Sequence, residues 1–489
     1  MNQWICPVPL HAAVWIWLAA AACAAAVAGC AAPGEPSPGE PVDPAVAARD
    51  PFEPTWPSLQ RQTVPKWFRD AKFGLFVHWG PQSLAGESGS SDGTRSPWQQ
   101  LAAAFKGEKF NARQWAELFR RSGAKYVVQV AEHHDGYALY DSSLTPWSSV
   151  KMAPRRDFVA ELSAAVRKEG LIYGASSHTE ENWWFYSDPP RKLPPPPGPG
   201  VPAGDQPPAE WLDNWYARVV EIVEKYDPQI LWFDWCIEQP AYEPYLRKLA
   251  AQYYNRARRK GREVVLNYKY DAFPPGAAVL NVSVNTRRIS WKPQAARPTP
   301  WQFDTWSGKG LWFWRPKMEI RSAAALIAEL ADVVSKNGNY LLNVTPDPDG
   351  VITPAQARPL LEIGRWLAVN GEAIYGTRPW AVYGEGPTEG LGPSFSPDTP
   401  KTPYTARDIR FTRKGNVIYA IVLAWPADGT VTIRSLATGS AHLSGRIERV
   451  SLLGSNLPVK WTRRESGLAV DVTGQTPVAR PFVLKVQAS

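Results

Sequence analysis

A (β/α)8-like barrel followed by a C-terminal antiparallel β-sandwich is the fold this sequence predicts. Three observations carry the prediction. Short apolar runs alternate with amphipathic helical stretches across residues 53–378, the pattern of repeated βα units. Several of those runs end in a reactive side chain, as barrel strands do at their C-terminal rim. Beyond Trp380 the period changes to short alternating runs set apart by turns such as Lys414-Gly415-Asn416 and Asp428-Gly429, which is a sandwich pattern.

In chain order, strands of the first domain are expected at 73–79, 125–131, 171–177, 229–234, 263–268, 279–284 and 338–344. Amphipathic helices are expected over 111–121, 157–169, 211–226 and 242–259. Asn111 reads as an N-cap, and Gly123 and Gly170 as helix stops. The Pro/Gly-rich stretch 189–208 reads as a surface excursion. In the second domain, 379–489, strands are expected at 409–412, 417–424, 430–435, 448–453, 468–472 and 482–486. No reactive cluster is visible there, so a stabilising or sugar-binding role is expected of it.

The first 52 residues read as targeting and tether. Residues 12–29 are almost wholly apolar and end in Val27-Ala28-Gly29-Cys30. Small residues before a cysteine predict a bacterial lipoprotein signal over 1–30, with Cys30 lipidated. No Lys or Arg precedes Arg49, so the usual basic region is missing. Residues 31–52, rich in Pro, Ala and acidic residues, read as a flexible tether. Ala31 after the cysteine favours the outer membrane. The expected location is the cell envelope, anchored in outer-membrane lipid through Cys30 and facing the periplasm or exterior.

Composition narrows the function. The 54 basic and 46 acidic residues are spread along the chain without a basic block, which argues against nucleic acid. The cysteines are Cys6, Cys23, Cys30 and Cys236. Once the leader is removed and Cys30 acylated, Cys236 has no partner, so neither a disulfide framework nor a thiolate metal site is expected. The 24 Trp residues suit a carbohydrate ligand, since aromatic faces stack on sugar rings, although most of them must pack the core.

The chemistry concentrates at run ends. Gln229-Ile230-Leu231-Trp232-Phe233-Asp234 reads as a buried strand delivering one carboxylate. His78 and Trp79 end another run, His133 and His134 a third, and His178 follows a fourth. Adjacent residues on a strand face opposite sides, so His133 and His134 would not chelate a metal together without a bulge. No His-x-His or His-Glu-x-x-His spacing occurs, and neither metal nor cofactor is expected.

Five segments together resemble the α-L-fucosidases of glycoside hydrolase family 29. They are 67–80, 133–142, 231–234, 334–344 and 371–380, in family order across the barrel and into the sandwich. The resemblance implies a retaining exo-hydrolase releasing L-fucose from fucosylated oligosaccharides or glycoconjugates. Asp234 would be its nucleophile, with His78, Trp79, His133 and His134 holding the sugar. His178 and Arg287 are further expected contacts.

The chain departs from the family at the acid/base, because no Glu lies between Glu263 and Glu319. Asp304, in the aromatic setting of Trp301, Phe303 and Trp306, is the expected substitute; Glu87, Glu180, Glu181 and Glu238 are the other candidates. The alternatives carried forward are an α-L-galactosidase, a catalytically silent sugar-binding lipoprotein and a metal hydrolase.

Overall fold

Eight parallel strands close into a barrel in chain order: β1 (Phe73–Val77), β2 (Tyr126–Glu132), β3 (Ile172–Ser177), β4 (Ile230–Phe233), β5 (Val265–Tyr268), β6 (Val279–Ser283), β7 (Trp301–Trp306) and β8 (Gly338–Val344). The computed structural model describes residues 51–85, 95–180, 182–184, 206–283, 295–309, 312–388 and 403–489. Cys30, the tether up to residue 50, Glu87, Glu181, Arg287 and most of 189–208 lie outside the described residues.

β7 is a strand the sequence reading did not anticipate. Its residues Trp301-Gln302-Phe303-Asp304-Thr305-Trp306 are all buried, and they pair with both β6 and β8. The prolines just before it, Pro298 and Pro300, gave the segment the look of a loop.

Helices return the chain between strands. Asn111 caps Ala112–Arg121 by accepting the Gln114 N–H, and Asp157 caps Phe158–Lys168 from Ala160. Gly123 and Gly170 follow these helices at φ +85° and +71°, the left-handed backbone that favours glycine. The helix Ala323–Ser335 was not expected, and its burial explains why. It packs β8 on one side and the C-terminal strands on the other, so it is apolar nearly all round and shows no amphipathic stripe.

The C-terminal region folds as two antiparallel sheets. One holds, in spatial order, β13 (Ile447–Leu452), β16 (Phe482–Ala488), β11 (Val417–Val422), β10 (Ile409–Lys414) and β9 (Arg378–Glu385). The other holds β12 (Thr430–Ile433), β15 (Gly467–Asp471) and β14 (Lys460–Arg464). Phe411, Ile418, Val431, Leu468 and Leu484 fill the space between. β9 and β14 were not anticipated; both are half-exposed edge strands with mixed polarity. Outer-face residues Tyr419, Ile421 and Val483 join the barrel's own helical core. There too Asp332 accepts Arg410 Nε at 2.7 Å and Lys336 Nζ at 2.9 Å.

Candidate active site

Strand alternation decides which side chains reach the barrel interior. Phe76 on β1, Tyr126, Val128 and Val130 on β2, Ile230 and Trp232 on β4, Val265 on β5, Val279 on β6 and Leu341 on β8 fill its lower layers. Gly74 has no side chain because a Cβ there would lie 2.2 Å from the Tyr126 ring. One or two inward steps further along the strands the same parity delivers His78, His178, Asp234, Lys269, Ser283 and Asn343. The apolar layers thus act as a floor beneath a polar ring.

The histidines are fixed in tautomer by their neighbours. His78 Nδ1–H donates to Asn343 Oδ1 at 2.8 Å, which leaves Nε2 an acceptor. Gln82 Nε2 donates to His133 Nδ1 at 2.7 Å, so the His133 proton sits on Nε2. His134 Nδ1–H donates to the His178 carbonyl at 2.7 Å. His178 Nε2 accepts from Ser176 Oγ at 2.9 Å, and its Nδ1–H donates to Asp234 Oδ2 at 3.0 Å. Burial lowers the pKa of all three of His78, His133 and His178, the last to about 4 despite Asp234 beside it. His178 is therefore a neutral hydrogen-bonding group above that pH, and burial favours the neutral form of His78 and His133 as well.

Asp234 lies just past the end of β4 and is 7% exposed. Its Oδ1 accepts the Trp235 N–H at 2.8 Å and Lys269 Nζ at 2.7 Å; His134 Nε2 is 3.7 Å from Oδ2. Burial alone would push this carboxyl up. The Lys269 ammonium and the His178 hydrogen bond outweigh it, and the pKa falls well below the ordinary carboxylate value. Lys269 is also held above its usual pKa: burial opposes its charge, but Asp234 and Asp304 more than compensate. The ammonium packs over the Trp232 ring at 4.9 Å from its centroid.

Several expectations change on this geometry. Trp79 is not a sugar-facing residue. It follows His78, so alternation turns it outward, where it is 2% exposed among Phe105, Phe110, Trp115 and Phe158 and donates from Nε1 to the Asp347 carbonyl at 2.8 Å. The rings of Trp312 and Phe313 are the ones beside His78, with centroids 5.1 and 5.5 Å from it. Asp304 has the raised pKa expected of an acid, caused by burial. It is only 1% exposed, however, and stands behind Lys269. Its Oδ1 accepts from Asn281 and Ser283, and its Oδ2 lies 3.9 Å from Lys269 Nζ. Lys269, Asn343 and Gln82 are the site residues that sequence reasoning missed. Lys269 had a signal: it follows the apolar run Val264-Val265-Leu266 at inward spacing.

The nitrogens of His78, His133 and His178 lie within 4.8 Å of one another, as do the ligand atoms of His134, His178 and Asp234. That spacing could admit a metal ion. Against it, both His178 nitrogens are already engaged, and the Lys269 ammonium repels a second cation beside Asp234.

What this ring can do is hold hydroxyls by neutral donors and acceptors while an ionised carboxylate meets an electron-poor carbon, which places the chain among the glycoside hydrolases. Residues 42–372 match the α-L-fucosidase family and residues 402–487 the α-L-fucosidase C-terminal domain. The chain belongs to the α-L-fucosidase family. It is 31% identical over 464 residues to the tissue α-L-fucosidase of Rattus norvegicus, covering 89% of this chain and 92% of that protein. The human tissue enzyme is 30% identical over 455 residues, covering 88% and 90%. Among solved structures, the α-fucosidase of Thermotoga maritima superposes with a TM-score of 0.72 at 29% identity, covering 89% of this chain and all of that one.

Proposed function

We propose that this α-L-fucosidase is exo-acting and retaining, with Asp234 as its nucleophile. The observation that carries the reading is the state of Asp234: a buried carboxylate kept ionised by Lys269 and His178, at the barrel rim, among imidazoles with hydrogen-bonding capacity to spare. A carboxylate held charged in a desolvated site is poised to attack the anomeric carbon. His78 offers an acceptor and His133 a donor to the fucose hydroxyls. Supporting the reading, Thermotoga maritima structures are described in complex with fucose and with a mechanism-based inhibitor, and as an Asp-to-Gly fucosynthase. Asp304 serves in this proposal as the second counter-ion of Lys269.

Asp234→Gly should abolish hydrolysis of an aryl α-L-fucoside. Azide should restore part of the activity and give the β-fucosyl azide, with inverted configuration. Near wild-type turnover of Asp234→Gly without azide would overturn the assignment.

We also propose that residues 1–30 are a lipoprotein signal and that Cys30 anchors the enzyme to the bacterial outer membrane. The run Val27-Ala28-Gly29-Cys30 supports this. Cys30→Ala should move the protein from the membrane fraction to the soluble one; equal membrane recovery would refute the anchor.

A further inference from the structure

His133 and His134 are neighbours, and on a regular strand they would face opposite sides of the barrel wall. The β2–β3 register shifts between Val130 and Glu132. That bulge turns Glu132 to the outer side of the wall and lets His133 enter the interior. The Glu132 carboxylate is 0% exposed, and five donors converge on it. Arg218, from the helix Ala209–Tyr226, donates to Oε2 from Nε at 3.0 Å and Nη2 at 2.6 Å, and Tyr140 OH donates to the same oxygen at 3.2 Å. Oε1 accepts from Ser177 Oγ at 3.0 Å and Thr179 Oγ1 at 3.2 Å. Those two hydroxyls flank His178, whose backbone N–H donates to the Glu132 carbonyl at 3.1 Å. Arg218 Nη2 also donates to the Gly136 carbonyl at 3.0 Å, fixing the turn after His134.

We infer that Glu132 is a positioning residue for the fucosidase reaction: one buried carboxylate outside the site sets the rings of His133, His134 and His178 around Asp234. The three rings lie on two different strand ends, and Glu132 is bonded to both. The inference rests on the proposed role of Asp234. A failure of that role would show separately, as an active Asp234→Gly.

Glu132→Gln tests it with little change of shape. The amide oxygen can still accept from Arg218, and the amide N–H can donate to the hydroxyls of Ser177 and Thr179. With the rings loosened, kcat/KM for an aryl α-L-fucoside should fall about 10- to 100-fold, the cost of a small misplacement of reacting groups. The acid limb of the pH profile should also move to higher pH, because His178 no longer holds its hydrogen bond to Asp234. Asp332→Asn breaks an equally buried ion-pair cluster at the junction with the sandwich. It should lower Tm and leave both kinetic readouts unchanged. If Glu132→Gln behaves as Asp332→Asn does, Glu132 is merely structural and the inference is overturned. Should Glu132→Gln not fold, Thr179→Val removes a single donor and must give a smaller loss with the same direction of acid-limb shift; an unchanged profile there also overturns it.

Discussion

Replacing Lys269 by Met isolates the charge that keeps Asp234 ionised. Methionine fills nearly the same volume and removes the ammonium 2.7 Å from Asp234 Oδ1. At an effective dielectric of about 20, two unit charges at that separation attract by roughly 6 kcal/mol, and desolvation of both groups offsets much of this. What survives in proteins when an opposite charge at this range is lost is an upward shift of about 1–3 pH units in the carboxyl's titration. The sign follows from the wild-type state, in which the Asp234 pKa is depressed and burial is the opposing force. Without Lys269, burial acts alone with the histidine contacts, and the carboxyl protonates at higher pH. The acid limb of kcat/KM for an aryl α-L-fucoside, measured across the acid range, should therefore move upward by that amount. Lys269→Arg should hold it near the wild-type position. An unmoved acid limb in Lys269→Met would show that His178 and the backbone suffice, and would refute the electrostatic argument.

Other outcomes follow from the same geometry. Asp304→Asn should slow aryl and natural fucosides alike, because it weakens the seat of Lys269; loss of a proton donor would instead spare the aryl substrate with its good leaving group. Trp79→Ala should cost about 3–5 kcal/mol of stability in urea unfolding, as for other buried tryptophans, with KM of the folded enzyme unchanged. Stability should rise with pH between about 4 and 6.5 through His178, whose folded pKa lies near 4 against the ordinary histidine value of 6.5. In that window the unfolded chain binds the extra proton, so stability is fully present above the window and lost as pH falls through it. The linked free energy is about 3 kcal/mol. His78 and His133 act in the same direction. Flat urea midpoints across that window would contradict the neutral-histidine site.

The place of Asp234 at the barrel rim was legible because a run of large apolar residues ending in one carboxylate has few uses other than a buried barrel strand. The histidines were legible for the same reason. Trp79 misled because adjacency in sequence is not adjacency in space: the residue after an inward His78 points outward. The bulge that brings His133 and His134 together depends on partners 45 to 86 residues away, Ser177 and Arg218 among them, and no local pattern records that. Lys269 was passed over although its strand was expected, because its part in the site is to pair with Asp234, 35 residues earlier in the chain, and that contact leaves no local pattern. The helix Ala323–Ser335 was hidden by being buried on both faces, since the period that announces a helix is the contrast between a wet side and a dry one.

That doubly covered helix has a bearing on how the gene can be cut. Two family segments meet in this chain, but they do not divide it into pieces that stand alone. A fragment ending near residue 378 would leave the flank of Ala323–Ser335 facing water and strip Arg410 from Asp332. A sandwich expressed alone would bare Tyr419, Ile421 and Val483, which now sit in the barrel's core. Shuffling sandwiches between relatives would need the facing helix to travel with its strands.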